Sequence, residues 1–170
     1  MMPDVDAEAQ RRAAWRELVF DVARNCGEVR LKVSGASMLP LAWPGDIVTV
    51  RRCELADLLP GQIVLFGQKE KLTLHRVTQV KDDYLIARGD SLPCCDPPVR
   101  ASEIVGQAAS IIRNGRLIPT EPSFWQRVVA VILRYAGPCR RILLLSARRW
   151  PHLRHWQLPF TSSTPLPPCL

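Results

Sequence analysis

The chain has 170 residues, of which 47% are hydrophobic and 23% charged, and its formal net charge is +7. This is the composition of a globular protein, and the length suits one domain with further segments at its ends. No run of about 18 apolar residues occurs, which predicts no transmembrane helix, and the N-terminus lacks the apolar stretch of a secretory signal.

The first predicted element is a helix over residues 7–25. Apolar residues recur there at three- and four-residue steps, as on the buried face of a helix, and Gly27 follows as a stop signal. Residues 1–27 are therefore predicted to be an N-terminal helical segment, and we expect its apolar face to pack on the domain that follows.

Residues 28–119 have the pattern of a mostly-β domain. Short β-branched runs are broken by Gly, Pro and Asp, and a Pro-Gly turn signal stands before two of them, at residues 44–46 and 60–62. The pair Asn114 and Gly115 indicates a β-hairpin near the end of the domain. The main predicted strands lie within residues 29–33, 46–52, 62–67, 72–80, 83–88 and 104–113.

The rest of the chain is predicted to be two basic helices and an irregular end. The helices lie over residues 123–137 and 139–150, within a basic tail at 120–156. The Pro-rich residues 157–170 are expected to be disordered. Apolar side chains of the first helix share one face: Phe124, Val128, Val131, Ile132 and Tyr135.

The tail contains arginines but no acidic residue from Arg127 to Arg154. Such a stretch suits an anionic partner, and a solvated basic face is the alternative. With Trp125, Trp150 and Trp156, the tail helices could make a peripheral contact with a membrane surface, or they could pack on the β domain. We do not expect nucleic acid as the partner, because no helix-turn-helix of repressor size is recognisable near the N-terminus.

The six cysteines contain no C-x-x-C pair, and the adjacent Cys94 and Cys95 cannot easily bridge each other. None of the three histidines stands at metal-ligand spacing from a cysteine. This pattern favours free thiols in a reducing, cytoplasmic compartment, and we expect neither a metal nor a cofactor.

Ser37, in the loop at residues 34–46, is the first candidate for chemistry. A serine hydroxyl acts as a nucleophile only with a base in hydrogen-bond reach and amide donors for the oxyanion. His75 is the histidine that a predicted strand would hold in place, and either Asp90 or Asp96, after the next strand, could orient it. Such residues also occur together by chance, and a histidine on a strand is often a hydrogen-bonded core residue.

Five motifs follow one another through the β domain: GASMLP at 35–40, LPGQIVLF at 59–66, HRV at 75–77, RGDSLPCCD at 88–96 and EIVGQA at 103–108. Together they resemble the catalytic domain shared by type I signal peptidases and LexA-type self-cleaving repressors. The resemblance covers about half of the chain and implies a LexA/signal-peptidase-like β fold with serine peptidase activity.

The resemblance also implies roles for single residues. Ser37, in the G-x-S-M-x-P box, would be the nucleophile, with Met38 packed beneath it. A histidine in an H-R-V strand is similar to the base of archaeal and endoplasmic-reticulum signal peptidases, which implies His75 as the general base. In that branch a second aspartate follows a Gly-Asp pair by six residues, which implies Asp96 as the third member and Asp90 as a supporting carboxylate.

Signal peptidases generally carry a serine two residues before the nucleophile, where its hydroxyl helps to bind the oxyanion. This chain has Gly35 there, as the repressor branch does, so the oxyanion would depend on backbone amides such as that of Ser37. The rival bases nearest in sequence are Lys32, Lys69 and Lys71, and the last two are predicted to be solvated charges at a hairpin turn.

The sequence thus predicts a serine endopeptidase, a hydrolase that cleaves a peptide bond in a precursor or partner protein, as in signal-peptide processing. Two other functions stay open. One is a non-catalytic module that binds an extended peptide by strand addition. The other is a LexA-like transcriptional regulator on the same fold, although no Ala-Gly pair for self-cleavage precedes Val33.

Overall fold

The computed structural model describes residues 5–121, 124–135 and residue 145. Within these residues the elements are α1 (Val5–Cys26), β1 (Glu28–Lys32), β2 (Ile47–Arg51), β3 (Ile63–Gln68), β4 (Lys71–Val80), β5 (Tyr84–Arg88), β6 (Val99–Arg100), β7 (Ile104–Arg113), β8 (Arg116–Ile118) and α2 (Phe124–Tyr135). Short 3₁₀ turns, Leu55–Asp57 and Ala101–Glu103, precede β3 and β7.

All the strands of the described residues join one antiparallel sheet in the order β1-β2-β7-β3-β4-β5-β6, with β8 paired to β7. The prediction of a mostly-β fold with an N-terminal helix is confirmed. β-Bulges at Thr49/Val50, Leu65/Phe66 and Val77/Gln79 interrupt the ladders and bend the strands locally. Strands β7, β3 and β4 are central in this order, and β1 and β6 lie at its two ends.

The predicted turns lie where Gly and Asn permit a left-handed backbone. Asn114 and Gly115, with φ of 49° and 77°, connect β7 to β8, as the Asn-Gly pair predicts. Gly45 and Gly61, with φ of 100° and 97°, lie at the two Pro-Gly turns before β2 and β3. Strand β6 is not predicted from the sequence, because a two-residue strand after two prolines has no alternating pattern.

Helix α1 packs on the sheet through its C-terminal half. It ends at Cys26, and Gly27 follows with a φ of 75° and an N–H that donates to the carbonyl oxygen of Ala23 at 3.0 Å, so the predicted stop is confirmed. Val19 and Ala23 are buried in the main hydrophobic core. A Cβ on Gly67 of β3 would lie 2.8 Å from the ring of Phe20, so helix and strand meet at a position that suits glycine.

Two hydrophobic clusters stabilise the sheet. The larger joins α1 to β1, β2 and β7 and includes Val50 and Ile111, both 0% exposed. The smaller lies along β3, β4 and β5 and includes Phe66, Leu85 and Val99. Full burial of a side chain of this kind contributes roughly 2 kcal/mol. These clusters support the loops that connect the strands.

Helix α2 packs on the loop between β1 and β2 through residues outside its predicted apolar face. Ala130 and Leu133 are buried, and Leu133 lies in a third cluster with Leu39 and Trp43. The large side chains of the predicted face are instead exposed: Phe124, Val131, Ile132 and Tyr135. The helix therefore has one apolar side on the β domain and another that the domain does not cover.

Neither helix of the described residues is long and apolar enough to cross a membrane. The second predicted tail helix, over residues 139–150, and the Pro-rich end at 157–170 lie outside the described residues, except for residue 145.

Candidate active site

His75 and Asp96 form a hydrogen-bonded pair. The His75 side chain is 6% exposed on β4, and its Nδ1 lies 2.5 Å from Oδ2 of Asp96. An ionised carboxylate can only accept, so Nδ1–H is the donor, and this tautomer leaves the lone pair of an imidazole on Nε2. The ring also meets Phe66 edge-on, with the ring centroids 6.2 Å apart. These contacts fix the tautomer and the orientation of the imidazole.

The β4–β5 hairpin explains how Asp96 reaches His75. The two strands pair from Arg76 opposite Arg88, so the chain just beyond β5 passes beside His75. The backbone N–H of Asp96 donates to the carbonyl oxygen of Ala87 at 2.8 Å, which returns this segment to the end of β5. The next two residues are prolines, whose fixed φ restricts the backbone after Asp96.

Ser37 lies in the loop at residues 34–46 between β1 and β2, which we call the serine loop. Ser91 holds the backbone of this loop. The Ser37 carbonyl oxygen accepts from the Ser91 N–H at 2.9 Å and lies 3.0 Å from the Ser91 hydroxyl, which also lies 3.0 Å from the Ala36 carbonyl oxygen. Ser91 is 1% exposed. Its role is not predicted from the sequence, although it follows Gly-Asp directly in the RGDS run.

Gly89 separates the serine loop from the imidazole. A Cβ at this position would lie 2.8 Å from the Ser37 carbonyl oxygen and 3.0 Å from His75 Nε2. Both atoms therefore approach one glycine Cα, and any side chain there would push them apart. The sequence does not assign Gly89 this role, because the contact joins three segments that are distant along the chain.

A cleft of about 920 Å³ contains the three residues predicted as a triad, Ser37, His75 and Asp96. Ser37 and His75 share this cleft without a direct hydrogen bond between Oγ and Nε2 among the described residues. Gly35 and Met38 also line it. The structure thus brings together the predicted nucleophile, base and orienting carboxylate.

The two residues predicted to support the nucleophile differ in their surroundings. Gly35 is exposed, and a Cβ placed on it would meet no atom within 4 Å. Met38 is 2% exposed and belongs to the main core, so it both lines the cleft and packs beneath the loop. Position 35 therefore has room for a side chain, whereas position 38 is filled.

Asp90, predicted as a supporting carboxylate, pairs with Arg76 rather than with His75. Its two carboxylate oxygens accept from Nε and Nη2 of Arg76, each at 2.8 Å. Arg76 also donates from Nη1 to the carbonyl oxygen of Gly61 at 2.6 Å. Asp90 thus pairs with the residue that follows His75 on β4, and Arg76 links the segment after β5 to the turn before β3.

A buried ion pair that the sequence does not reveal fixes the loop from the other side. Asp46 is 1% exposed, and its Oδ2 accepts from Nη2 of Arg113 at 2.7 Å and from the Trp43 N–H at 2.8 Å. Arg113 also donates to the Leu41 carbonyl oxygen at 2.8 Å. The turn at Asp46, predicted as structural, therefore ties the serine loop to β7.

The rival bases are all solvated. Lys32, Lys69 and Lys71 are exposed, and Lys69 lies at the β3–β4 turn with φ of 53°. No group of three or more His, Cys, Asp and Glu side chains that could hold a metal ion occurs among the described residues. The four cysteines in the described ranges are free thiols: Cys26, Cys53, Cys94 and Cys95.

A scan against protein-family models gives no matching family, and a search of the curated proteins gives no relative. The assignment of a function therefore depends on the geometry of the site and on the motifs within it.

Proposed function

We propose that this protein is a serine endopeptidase of the signal-peptidase-like class, with Ser37 as nucleophile, His75 as general base and Asp96 as the orienting carboxylate. The observation that carries the proposal is the 2.5 Å contact between His75 Nδ1 and Asp96, with Nε2 near the Ser37 backbone across Gly89. The serine–histidine hydrogen bond of such enzymes is often long without substrate and tightens when substrate binds.

The proposed reaction begins when Ser37 Oγ attacks the carbonyl carbon of a peptide bond. His75 Nε2 takes the hydroxyl proton, and the Asp96 carboxylate stabilises the resulting imidazolium. The oxyanion accepts from backbone N–H groups, with that of Ser37 as the nearest candidate. The imidazolium then protonates the leaving amine as the C–N bond breaks, which leaves an acyl-enzyme that water hydrolyses by the same steps.

The first open strand edge beside the cleft belongs to β1, which pairs only with β2 among the described strands. The Val33 N–H donates to the Asp46 carbonyl oxygen, and the Val33 carbonyl oxygen accepts from Gly45. Because these groups alternate along an antiparallel strand, the backbone groups of Lys32 and Ser34 are directed away from β2. They are free to pair with an added strand.

The second open edge is the first half of β4. The Val77 N–H donates to Gln62 on the β3 side, so by alternation the backbone groups of Leu72 and Leu74 are directed away from β3. Strand β5 pairs with β4 only from Arg76 onward. An extended peptide in the cleft could therefore pair with both edges, which supports a peptide as the substrate.

The order of the five motifs supports processing of a precursor or partner protein rather than general proteolysis. Gly35 is the position where the chain departs from the signal-peptidase pattern, and the proposal assigns oxyanion binding to backbone amides there. The same open edges would also serve a non-catalytic peptide-binding module, and a LexA-like regulator could use the same site on its own chain. Loss of turnover in Ser37→Ala separates the enzyme from the binding module.

We further propose that α2 makes peripheral contact with an anionic membrane. Phe124 and Tyr135, at the two ends of its outer face, are 71% and 79% exposed. The sequence from Arg127 to Arg154 adds arginines without any acidic residue. Aromatic and apolar side chains beside arginines suit the headgroup region of anionic lipid.

Flotation with liposomes tests the membrane contact. The wild type should float with liposomes that contain phosphatidylserine and should stay in solution with pure phosphatidylcholine. The double variant Phe124→Ser/Ile132→Ser should float less, whereas a matched exposed-site variant, Leu59→Ser, should float as the wild type does. Equal flotation of all three proteins, or of none, would contradict the contact.

Labelling with a fluorophosphonate tests the nucleophile, because this reagent reacts with activated serines. The wild type should be labelled at Ser37, and Ser37→Ala and His75→Ala should not be labelled. Ser102→Ala, which changes an exposed serine outside the cleft, is the matched control and should be labelled as fast as the wild type. Equal labelling of wild type and Ser37→Ala would overturn the proposal.

A further inference from the structure

Basic side chains line the cleft along β1 and at the start of β4. Arg30, Lys32 and Lys71 line the cleft and are exposed, and none of them has an ion-pair partner among the described residues. In the described lining the carboxylates are Glu70 and Asp96, and Asp96 is already engaged in the catalytic pair. These three cations exceed the one remaining carboxylate, Glu70, so the cleft lining has an excess of positive charge.

The floor of the same cleft is apolar. Its aliphatic lining includes Leu31, Val48, Leu65, Leu72 and Leu74. On the α1 side, Trp15 also lines the cleft and is 54% exposed. An occupant would have to present apolar groups to this floor. It would have to present anionic or neutral polar groups to Arg30, Lys32 and Lys71, which form the rim of the cleft.

Lys71, one of the rim residues, lies at a defined distance from His75 along β4. Successive pairs in the series β1-β2-β7-β3-β4 are all antiparallel, so β1 and β4 run in the same direction. Both run toward the catalytic residues, since Ser37 follows β1 and His75 lies on β4. Lys71 precedes His75 by four residues, which corresponds to roughly 13 Å of strand.

We infer that the substrate is a peptide with acidic side chains about four residues from its scissile bond. The inference rests on the proposed peptidase function and names the substrate class for that site. An extended peptide turns alternate side chains to opposite faces, so carboxylates can meet the rim while the residues between them meet the apolar floor. Lysine or arginine at the same positions would be repelled by Arg30, Lys32 and Lys71.

Peptide binding to the full-length Ser37→Ala protein measures this preference without cleavage. Three decapeptides would carry the same dye and the same alanine and leucine core, with Glu, Gln or Lys at two positions near each end. Fluorescence anisotropy should give a Kd about tenfold lower for the Glu peptide than for the Gln peptide, with the Lys peptide weakest. The difference should shrink as NaCl is raised, because exposed charges are screened.

Neutral substitutions then locate the preference. Lys71→Gln and Arg30→Gln should each reduce the Glu-over-Gln ratio by about two- to fivefold, as expected for exposed charge pairs. Lys81→Gln, at an exposed lysine beyond β4 that does not line the cleft, should leave it unchanged. Equal binding of the three peptides, or a preference that survives Lys71→Gln/Arg30→Gln, would overturn the inference.

Cleavage by the wild type distinguishes the two proposals. If the wild type cleaves these peptides without any charge preference, the peptidase function stands and the acidic substrate class fails. If Ser37→Ala prefers the Glu peptide but the wild type cleaves none of them, the catalytic proposal fails and the charge preference stands as a property of a binding module.

Discussion

The carbonyl oxygen of Ser37 accepts hydrogen bonds from both the amide and the hydroxyl of Ser91, at 2.9 and 3.0 Å. Ser91 lies in the segment after β5 that also carries Asp96. One short segment therefore holds the backbone of the proposed nucleophile and supplies the carboxylate that orients the proposed base. The relative position of the proposed catalytic groups depends on this segment.

Replacing Ser91 by alanine should weaken this link without removing it. The amide still donates to Ser37, but the hydroxyl near the Ala36 and Ser37 carbonyl oxygens is lost. We expect a loss of about 1 kcal/mol in the free energy of unfolding, measured by urea titration, and about tenfold slower fluorophosphonate labelling. Ser102→Ala, at an exposed serine, is the control. Unchanged labelling of Ser91→Ala would show that the hydroxyl does not position the nucleophile.

The Asp96→Asn substitution should abolish most activity while the fold is kept. An asparagine amide can donate to His75 Nδ1, which places the ring proton on Nε2 and removes the base. We expect labelling at Ser37 to fall by about 10³- to 10⁴-fold with little change in thermal stability. Labelling at the wild-type rate would contradict the orienting role of Asp96.

Asp90→Asn provides the matched comparison, because Asp90 pairs with Arg76 instead of the imidazole. Its substitution should lower the free energy of unfolding and leave the labelling rate of the folded protein within about tenfold of the wild type. A larger effect on labelling than that of Asp96→Asn would reverse the two roles.

Substitution of the two glycines near the nucleophile should have opposite results. A Cβ at position 89 would lie 2.8 Å from a backbone oxygen, whereas one at position 35 meets nothing within 4 Å. Gly89→Ala should therefore lower the melting temperature and abolish labelling, and Gly35→Ala should preserve the melting temperature. Gly35→Ser adds a hydroxyl where signal peptidases have one, and it should accelerate labelling by up to about tenfold. A fully active Gly89→Ala protein would contradict the close approach at this position.

Cys53 should be the least reactive of the described cysteines. Burial raises the pKa of its thiol, and the Asp57 carboxylate raises it further, against a smaller lowering by a backbone hydrogen bond from Gln107. Since the thiolate is the reactive form, iodoacetamide at pH 8 should modify Cys53 more slowly than the exposed Cys94 and Cys95. Mass spectrometry of timed samples measures the rates, and denaturant should remove the difference.

The raised pKa also has a consequence for stability. The unfolded thiol ionises more readily than the folded one, so the contribution of Cys53 is complete below the unfolded value of 9.0 and declines as the pH rises past it. Cys53→Ala should reduce the loss of unfolding free energy between pH 8 and pH 10. An unchanged pH dependence in this variant would contradict the shift.

Local patterns in the sequence were enough to predict α1, the main strands and the turns. Period-two alternation and Gly signals act over a few neighbouring residues, so they can be read without knowledge of the fold. The side of α2 that packs could not be predicted in this way. Leu133 is buried because it packs against Leu39 and Trp43 of the serine loop, and this is a tertiary contact.

The candidate site also has features that the sequence predicts and others that depend on tertiary contacts. The residues proposed for chemistry, Ser37, His75 and Asp96, stand in recognisable motifs, and the structure places them around one cleft. The contacts of Gly89 and Ser91 with the serine loop were not predictable, because they join segments more than 50 residues apart in sequence. Sequence motifs thus indicate the proposed reacting groups, and the fold shows which contacts hold these groups in place.

The buried pair of Asp46 and Arg113 joins residues that are 67 positions apart in sequence and connects the serine loop to the middle of the sheet. For the loop to swing away, a carboxylate and a guanidinium would have to separate where little water can reach them, at a cost of about 3–5 kcal/mol. The hydrogen-bonded amide protons of the loop, such as those of Ala42 and Trp43, should therefore exchange with solvent almost as slowly as those of β7. A peptide substrate of the proposed kind would therefore bind to a surface that is already formed before it arrives.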